Sequence, residues 1–337
     1  MGWLFSAKSR TGEIAQEAVK RKMTVFLKIG LVFCSTLIGI VISEIILVSI
    51  GYYYKPIRIK AVDHKLKAFE DTVCEYDHDL IWVPRKDISV FNSQGFRGDV
   101  LSDNKEPGTY RIFTLGDSNT IGKAGLKHNP NYPMYLEEML NRNLNRKKYV
   151  VINAGVWGYT SFQGLRRLRQ ILPYKPDIVT INFGCNDAIL TRISDKDFSS
   201  SKIKEKRIDE ILVKMKVGQL LLSILDVVYV KGHYKIVPRV SVEEYRENME
   251  EMIKQTKGNG ALPILITRPY RGKSGNGCEG YNNAVRDIGK EDGILVIDQR
   301  TCFINRDEYF SDDIHFNEEG YRFAAEQIYD EIKKLIK

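Results

Sequence analysis

The sequence has few of the residues that hold metals and none of the motifs that hold nucleotides. Its five histidines and five cysteines form no HxH, HxxxH or CxxC arrangement, which excludes the usual ligand spacings. No GxxxxGK[ST] phosphate loop occurs, and the lysines and arginines are spread along the chain without a nucleic-acid-binding motif. We therefore expect no cofactor, no metal and no nucleic-acid partner. The net charge of +8 suits an anionic membrane surface or wall polymer instead.

The cysteines do not announce a disulfide framework, because their number is odd and their positions are scattered. Cys278 and Cys302 can pair if this part of the chain lies outside the cytoplasm. Unpaired thiols are the alternative, and Cys185 receives no role.

Long apolar runs are absent except for one, between Val25 and Ile50. A helix needs about 20 apolar residues to cross the bilayer core, and this run supplies them. Lys28 lies near one end, whereas Glu44 lies within the run and needs the interface or a partner helix. We predict a tail at 1–24 and a transmembrane signal anchor at 25–51.

Two alternatives to the anchor are a buried core helix and a cleaved signal peptide, although the run is too long for the latter and no small-x-small site follows it. Basic residues flank the run on both sides, so the positive-inside count is nearly a tie. We favour a single-pass cell-membrane protein whose large domain is extracytoplasmic.

Beyond the anchor, a juxtamembrane region at 52–108 precedes a large domain at 109–337. Short apolar runs there predict strands at Tyr110–Leu115, Tyr149–Asn153, Asp177–Phe183, Leu262–Thr267 and Gly293–Asp298. Helical patterns lie between them, at 132–146, 161–172, 241–257, 279–290 and 317–336. This alternation predicts an α/β fold with a doubly wound parallel sheet, in which ligands bind beyond the carboxyl ends of the strands.

Residues 196–235 interrupt the alternation, since they separate two strands by more than one helix requires. An apolar helical run from Ile211 to Val230 lies within them. It is either an extra core or surface helix, or a lid or membrane-leaning helix beside the active site.

Polar residues follow three of the predicted strands. Ser118 comes after the first, in a Gly-Asp-Ser-Asn stretch that suits a sharp turn but equally a helix cap. Gly158 follows the second and can offer a free backbone N–H. Asn186 follows the third and can donate its amide to a developing oxyanion, or simply form a turn.

A fourth polar cluster precedes the last helix and contains His315, the only histidine with a nearby carboxylate at such a position. Asp312, three residues earlier, can hold the imidazole Nδ1 proton and leave Nε2 free to accept a serine proton. A capping aspartate beside a surface histidine is the simpler alternative. Together with Ser118, these residues provide the groups needed for acyl transfer through a covalent intermediate.

These clusters resemble the conserved blocks of the SGNH (GDSL-like lipase/esterase) hydrolase family, in the family's order, across about residues 109–336. The blocks are Gly116-Asp117-Ser118-Asn119, Asn153 to Gly158, Gly184-Cys185-Asn186-Asp187 and Asp312-x-x-His315. The segment with Tyr76-Asp77 to Trp82 and Asn92 to Gly98 resembles the leader of membrane-anchored members.

The resemblance implies a flavodoxin-like three-layer α/β/α fold with a five-stranded parallel sheet. It implies that Ser118 is the nucleophile, His315 the base and Asp312 its orienting acid. The Ser118 N–H, the Gly158 N–H and the Asn186 side chain would form the oxyanion hole. Asn119 stands where the family name has leucine, and Asn119 and Arg268 are candidates to contact the substrate.

The leading functional hypothesis is a serine hydrolase that cleaves a carboxylic ester, the O-acyl or O-acetyl group of a lipid or glycan. An alternative is an O-acyltransferase accessory that moves an acyl group to a cell-surface polysaccharide or wall polymer, with a membrane acyltransferase as partner. A second alternative is a non-catalytic scaffold on the same fold.

Overall fold

The computed structural model describes residues 2–52, 73–77, 79–85, 88, 90–102, 104–123, 129–144, 147–191, 194–201, 214–231, 237–272 and 276–336. The chain divides into two compact units. The first comprises residues 1–54 with 210–222, and the second comprises 55–209 with 223–337.

The first unit contains helix α1, Gly2–Ser49. Its portion Arg21–Ser49 is long and apolar enough to cross a membrane, with a mean hydropathy of 2.5. The predicted run therefore lies on a continuous helix that also passes through most of the tail. Glu44, the charge within that run, accepts hydrogen bonds of 2.8 Å each from the backbone N–H groups of Lys216 and Val217. Its partner is thus the first turn of another helix of the same chain.

A parallel sheet forms the centre of the second unit. Its strands are β3 (Thr109–Gly116), β4 (Lys148–Asn153), β5 (Ile178–Asn182), β8 (Leu262–Ile266) and β9 (Val296–Ile297). They lie in the order β4-β3-β5-β8-β9, all parallel. The chain therefore winds outward in both directions from its first strand, which is the flavodoxin-like order.

Helices cover both faces of this sheet. They are α2 (Ser118–Ile121), α3 (Tyr132–Asn143), α4 (Ser161–Ile171), α7 (Val242–Gly258), α8 (Glu279–Asp292), α9 (Gln299–Cys302) and α10 (Glu318–Leu335). Short 3₁₀ turns lie at Leu172–Tyr174, Asn276–Cys278 and Asp307–Tyr309. A capping box of Ser241 and Glu244 opens α7, which fixes where that helix begins.

Alternate side chains of the strands enter two separate cores. In β8, Leu265 packs into the core formed with α4, α7 and α8, whereas Ile264 and Ile266 pack into the core formed with α3 and α10. The molecule therefore has three layers, and the predicted α/β/α fold with a five-stranded parallel sheet is confirmed. Each of the five predicted strands is present, although the last shortens from Gly293–Asp298 to β9.

Part of the predicted juxtamembrane region contributes to the first of these cores. Strands β1 (Cys74–Asp77) and β2 (Ile81–Pro84) form an antiparallel hairpin. Trp82 and Phe96 are buried against the sheet and α4, so residues 73–102 are built into the layered unit. The sequence of this segment predicts no hairpin, because its apolar and polar residues alternate only weakly.

The segment that interrupts the alternation carries two helices, α5 (Asp195–Ser201) and α6 (Lys216–Lys231). Its base is closed by an antiparallel pair of short strands, β6 (Leu190–Thr191) and β7 (Val237–Pro238). Helix α6 occupies most of the predicted apolar run, whose first residues, 211–213, lie outside the described part.

Candidate active site

Ser118 lies at the carboxyl end of β3, on the first residue of α2. Asp117 caps this short helix by accepting a hydrogen bond from the Asn119 N–H at 3.0 Å. Gly116 makes the turn possible, because a Cβ there would lie 2.1 Å from Thr120 Oγ1 and 2.8 Å from the Asn182 carbonyl oxygen. The turn therefore needs a glycine, and it leaves the serine hydroxyl at the edge of the sheet.

The serine hydroxyl is in contact with the histidine that the sequence singles out. Ser118 Oγ lies 2.9 Å from His315 Nε2. On the other side of the ring, His315 Nδ1 lies 2.8 Å and 3.0 Å from the two carboxylate oxygens of Asp312. The three residues thus form a continuous hydrogen-bonded chain across 197 residues of sequence.

Asp312 is held as a carboxylate by its surroundings. Burial alone would raise its pKa, but the His315 side chain and the backbone N–H groups of Ile314 and His315 donate to it. These bonds outweigh burial and hold the pKa of Asp312 well below its usual range. A charged acceptor at Nδ1 favours the tautomer that leaves Nε2 free.

Asn119 connects the turn that carries Ser118, here called the serine turn, to the loop that carries His315, here called the histidine loop. Its amide nitrogen donates to the Ile314 carbonyl at 2.9 Å, and its amide oxygen accepts from the Phe316 N–H at 3.2 Å. Ile314 and Phe316 are the residues directly before and after His315, and Asn119 itself is buried. Asn119, which the sequence suggests as a substrate contact, therefore contacts the loop that carries His315 instead.

Arg268, the other residue predicted to contact the substrate, is buried as well. It forms an ion pair with Asp117, with Arg268 Nε 3.1 Å from Asp117 Oδ2. Its Nη1 also reaches the Ile314 carbonyl, at 3.4 Å. The guanidinium of Arg268 therefore contacts both the serine turn and the histidine loop.

Gly158 and Asn186, the predicted oxyanion donors, lie at the ends of the next two strands. Gly158 has φ +73°, a conformation that suits glycine. Within the described residues, no protein acceptor takes the N–H of Gly158 or of Ser118. Asn186, in contrast, donates its amide to the Tyr159 carbonyl at 3.0 Å and to Asp117 Oδ2 at 3.3 Å.

Asp187 anchors the turn that carries Asn186. It accepts from the Ser161 N–H and Oγ at 2.8 Å and 2.6 Å, and from the Gly184 N–H at 3.1 Å. Burial raises the pKa of Asp187 to about 7, with the hydrogen bonds from Ser161 opposing the rise. The turn is therefore fixed to the start of α4.

A disulfide closes the same region, and it corrects the predicted cysteine pairing. Cys185 is bonded to Cys278, whereas Cys302 is a free thiol. The pairing of Cys278 with Cys302 is therefore wrong, as is the absence of a role for Cys185. Sequence spacing carries no information on connectivity, while the fold brings the Asn186 turn beside the 3₁₀ turn that ends in Cys278. Ile314 of the histidine loop packs against this bridge.

Sequence reasoning missed three further residues: Trp82 and Arg239, which donate to backbone carbonyls of the Gly158 turn, and Asp195, which pairs with Arg239. Asp195 and Arg239 bracket residues 196–235, the segment that interrupts the alternation and is here called the irregular segment. Trp82 lies in the hairpin of β1 and β2, which the sequence did not predict. Burial of two charged residues, at 2% and 0% side-chain exposure, is visible only in the fold. Among the described residues, no group of three or more His, Cys, Asp or Glu can hold a metal ion.

The arrangement can transfer a proton from a hydroxyl to an imidazole and can offer backbone N–H groups to a developing negative charge. A sequence model of the GDSL-like Lipase/Acylhydrolase family matches residues 114–323, which include Ser118 and His315. The chain belongs to this family. It is an SGNH-type esterase by its family domain, and the resemblance noted in the sequence is confirmed.

Individual relatives are distant. A protein of Bacillus subtilis (strain 168), described as uncharacterized lipoprotein YqeF, is 24% identical over 224 residues, which cover 58% of this chain and 73% of that protein. A lipase/acylhydrolase from Enterococcus faecalis is 24% identical, with a TM-score of 0.47 over 67% of this chain and 96% of that chain. Axe2, an acetylxylan esterase from Geobacillus stearothermophilus, is 20% identical, with a TM-score of 0.47 over 66% of this chain and 94% of that one.

Proposed function

We propose that this esterase cleaves an O-acyl or O-acetyl ester of a lipid or glycan, with Ser118 as its nucleophile. The observation that carries the proposal is the 2.9 Å contact between Ser118 Oγ and His315 Nε2, backed by Asp312 on Nδ1. A serine within hydrogen-bond reach of an oriented base is the arrangement that nucleophilic catalysis requires.

In the proposed reaction, Ser118 Oγ attacks the ester carbonyl carbon while its proton passes to His315 Nε2. The carbonyl oxygen becomes an oxyanion, which the N–H groups of Ser118 and Gly158 stabilise. Collapse breaks the bond to the alcohol, which leaves with the proton from His315. Water then attacks the acyl-enzyme by the same route, releasing the acid and restoring the serine.

Asn186 joins the oxyanion hole in this proposal by turning its amide away from a protein acceptor. The amide now donates to the Tyr159 carbonyl and to Asp117. The two backbone N–H groups require no such change. We therefore expect them to supply most of the stabilisation and Asn186 to supply the remainder.

We propose that α1 anchors the enzyme as a single-pass membrane protein with the site outside the cytoplasm. The length and hydropathy of Arg21–Ser49 support the anchor. The Cys185–Cys278 disulfide supports the orientation, because disulfides persist in oxidising compartments. Because the positive-inside count is nearly tied, the disulfide decides the orientation that we propose, and surface glycans and lipids are then the accessible substrates.

Acyl transfer is a second candidate function, favoured by the apolar helix α1. An anchored enzyme is held at the membrane that contains acyl donors, and a sugar or polymer hydroxyl can replace water in the second half of the reaction. A membrane acyltransferase would then be the partner that supplies the acyl group.

The first experiment labels the full-length protein in detergent with a fluorophosphonate probe. We expect wild type to be labelled and Ser118→Ala to be silent. Equal labelling of the two proteins, or no labelling of wild type, would overturn the esterase proposal and leave a non-catalytic scaffold. Cys302→Ser, which changes a free thiol, serves as the matched control and should label like wild type.

The second experiment separates substrate classes and acceptors. Esters graded by chain length and by sugar content are supplied to wild type and to Ser118→Ala, with and without added oligosaccharide. Hydrolysis that is faster than transfer supports the esterase, whereas transfer that outpaces hydrolysis supports the acyltransferase.

A further inference from the structure

We propose that Trp82, Asp195 and Arg239, here named the glycine clamp, position the Gly158 peptide groups for oxyanion binding. The inference rests on the proposed function, because it concerns the same reaction. The clamp residues are positioning residues: they act on the reaction through the backbone of the Gly158 turn.

Trp82 sets the direction of the Gly158 N–H, which is the proposed oxyanion donor. Its indole Nε1 donates to the Trp157 carbonyl oxygen at 3.2 Å. That carbonyl and the Gly158 N–H belong to one planar trans peptide group, so they point in opposite directions. A donor fixed on the oxygen therefore aims the N–H away from the indole. It also polarises the peptide, which strengthens the N–H as a donor.

Arg239 holds the next peptide group of the same turn. Its Nη1 donates to the Gly158 carbonyl oxygen at 2.7 Å. Asp195 fixes the guanidinium by accepting from Nε at 3.2 Å and from Nη2 at 3.3 Å. With both flanking peptide groups held, Gly158 cannot rotate freely about φ and ψ, although a glycine would otherwise be mobile there.

The parts of the clamp also contact one another. The Arg239 guanidinium lies 5.3 Å from the centre of the Trp82 ring, within the range of a cation–π contact. The Tyr159 hydroxyl donates to the Trp82 carbonyl at 2.7 Å, and Thr160 Oγ1 donates to Asp195 at 2.7 Å. Residues on both sides of Gly158 are thereby tied to the same cluster.

Stability alone does not account for a buried ion pair of this kind. Removing two charges from water costs several kcal/mol, and an apolar replacement is often as stable. Asp195 and Arg239 also stand at the two ends of the irregular segment, where the Asp195 N–H donates to the Arg239 carbonyl at 2.7 Å. The Asp195–Arg239 pair therefore joins the two ends of the irregular segment and contacts Gly158 at the same place.

The test compares Trp82→Phe and Arg239→Lys with Arg111→Lys in the full-length enzyme. Arg111 is also buried and also donates to backbone carbonyls, those of Tyr174 and Ser102, but it lies at the far end of β3. Since loss of an oxyanion donor costs about 10²–10³ in kcat, we expect a misaimed donor to cost about tenfold in Trp82→Phe.

Ester turnover should fall in kcat, with KM and the pH profile unchanged, because the Ser118–His315–Asp312 chain is intact. Arg239→Lys, which retains a donor, should lose less than Arg239→Met. Arg111→Lys should lower the melting temperature without lowering kcat. A kcat for Trp82→Phe within twofold of wild type, or an equal kcat loss in Arg111→Lys, would overturn the clamp. Failure of the proposed function itself shows separately, as activity retained in Ser118→Ala.

A different observation carries a second proposal: we infer that one face of α6 lies on the lipid bilayer. An apolar stripe of exposed side chains runs along this helix, made of Leu220, Leu221, Ile224, Leu225 and Val228. Their exposure ranges from 36% to 66%. The spacing of i, i+1, i+4, i+5 and i+8 places all five on one side of the helix.

The first turn of α6 indicates that lipid covers the stripe. Its first turn donates the N–H groups of Lys216 and Val217 to Glu44, a residue of the candidate span. Glu44 lies five residues before the end of α1 at Ser49, which is about 7.5 Å along a helix. That depth matches the 5–10 Å to which interfacial amphipathic helices bury their apolar faces. The N-terminal N–H groups also offset the charge of Glu44.

The experiment reconstitutes the full-length protein in phosphatidylcholine–phosphatidylglycerol vesicles that carry a photoreactive diazirine on the acyl chains. Mass spectrometry should find lipid adducts on α1 and on α6, and none at Leu190, which is equally apolar and 68% exposed but lies outside the stripe. Glu44→Leu should reduce the adducts on α6 at least fivefold, and Glu44→Gln should reduce them less. Adducts on α1 alone, with none on α6, would overturn the proposal.

Discussion

The two halves of the candidate site are each held by a buried arginine–aspartate pair, but the pairs are built from different parts of the chain. In the nucleophile half, Arg268 pairs with Asp117 beside Ser118. In the oxyanion half, Arg239 pairs with Asp195 beneath Gly158. Both pairs are almost completely buried, and each one contacts the backbone of a loop of the candidate site.

The difference lies in how far each pair is from the family blocks. Asp117 belongs to the first block, and Arg268 follows β8, so both come with the layered sheet. Asp195 and Arg239 bracket the irregular segment, and their neighbour Trp82 belongs to the hairpin of β1 and β2. The layered sheet thus positions the Ser118 half, whereas the β1–β2 hairpin and the residues that bracket the irregular segment complete the Gly158 half.

The largest effect should follow from breaking the nucleophile-half pair. Arg268→Met leaves the Asp117 carboxylate buried without its cation, which typically costs about 3–5 kcal/mol. Urea denaturation of the purified protein measures the loss. Arg271→Met is the matched control, since Arg271 is partly exposed and lies 3.8 Å from Asp313, and exposed pairs contribute about 0–1 kcal/mol. Equal losses in the two variants would show that Asp117 does not need Arg268.

Removing the disulfide should come next, and it also bears on the nucleophile half through Ile314. Cys185 and Cys278 are 93 residues apart, and loss of such a bridge costs about 2–4 kcal/mol. We expect the double variant Cys185→Ser/Cys278→Ser to melt at a lower temperature and to turn over ester more slowly, because the Asn186 turn loses its tether. A double variant as stable as Cys302→Ser would contradict this.

Gly158→Ala probes the oxyanion half with a smaller change. An alanine at φ +73° costs about 1–2 kcal/mol, because its Cβ crowds the following carbonyl. Gly258→Ala is the control: it lies at the end of α7 with nothing within 4 Å of a new Cβ, and it should be neutral or slightly stabilising. Thermal melting measures both, and a neutral Gly158→Ala would mean that the turn relaxes out of the conformation described.

The smallest effect concerns pH in the nucleophile half. The pKa of Asp312 is lowered in the folded protein, so its contribution to stability is present above its unfolded pKa, about 3.9. That contribution is lost as the pH falls below this value. Asp312→Asn should therefore flatten the melting-temperature profile below about pH 4 and leave it unchanged in shape above that value. A profile parallel to that of wild type would indicate that Asp312 is not selectively stabilised as a carboxylate.

The sequence predicts the layered fold and the nucleophile half better than the oxyanion half, for physical reasons. Buried parallel strands are continuous apolar runs, and Ser118 and His315 follow such runs or precede a helix, where ligands bind. Asp117 and Arg268 are close in space only because parallel strands end at one edge. No local pattern relates Trp82 or Arg239 to Gly158, since the contacts cross 75 and 81 residues of sequence.

Two features of the sequence do point toward what was missed. Arg239 stands two residues before the capping box of Ser241, so it lies where a helix begins at the edge of the sheet. Leu80 to Val83 is an apolar group within a polar region, which is typical of a strand that packs on a core. The disulfide has no comparable indication, because five cysteines at irregular spacing permit many pairings.

The central claim is that Ser118 forms the covalent intermediate. The most direct measurement traps it: the full-length enzyme is mixed with a slowly hydrolysed ester, quenched in acid within milliseconds, and digested for mass spectrometry. We predict an acyl adduct on Ser118 in wild type, accumulating in His315→Ala only slowly or not at all. Ester turnover without any adduct on Ser118, or an adduct on another residue that Ser118→Ala does not abolish, would contradict the account.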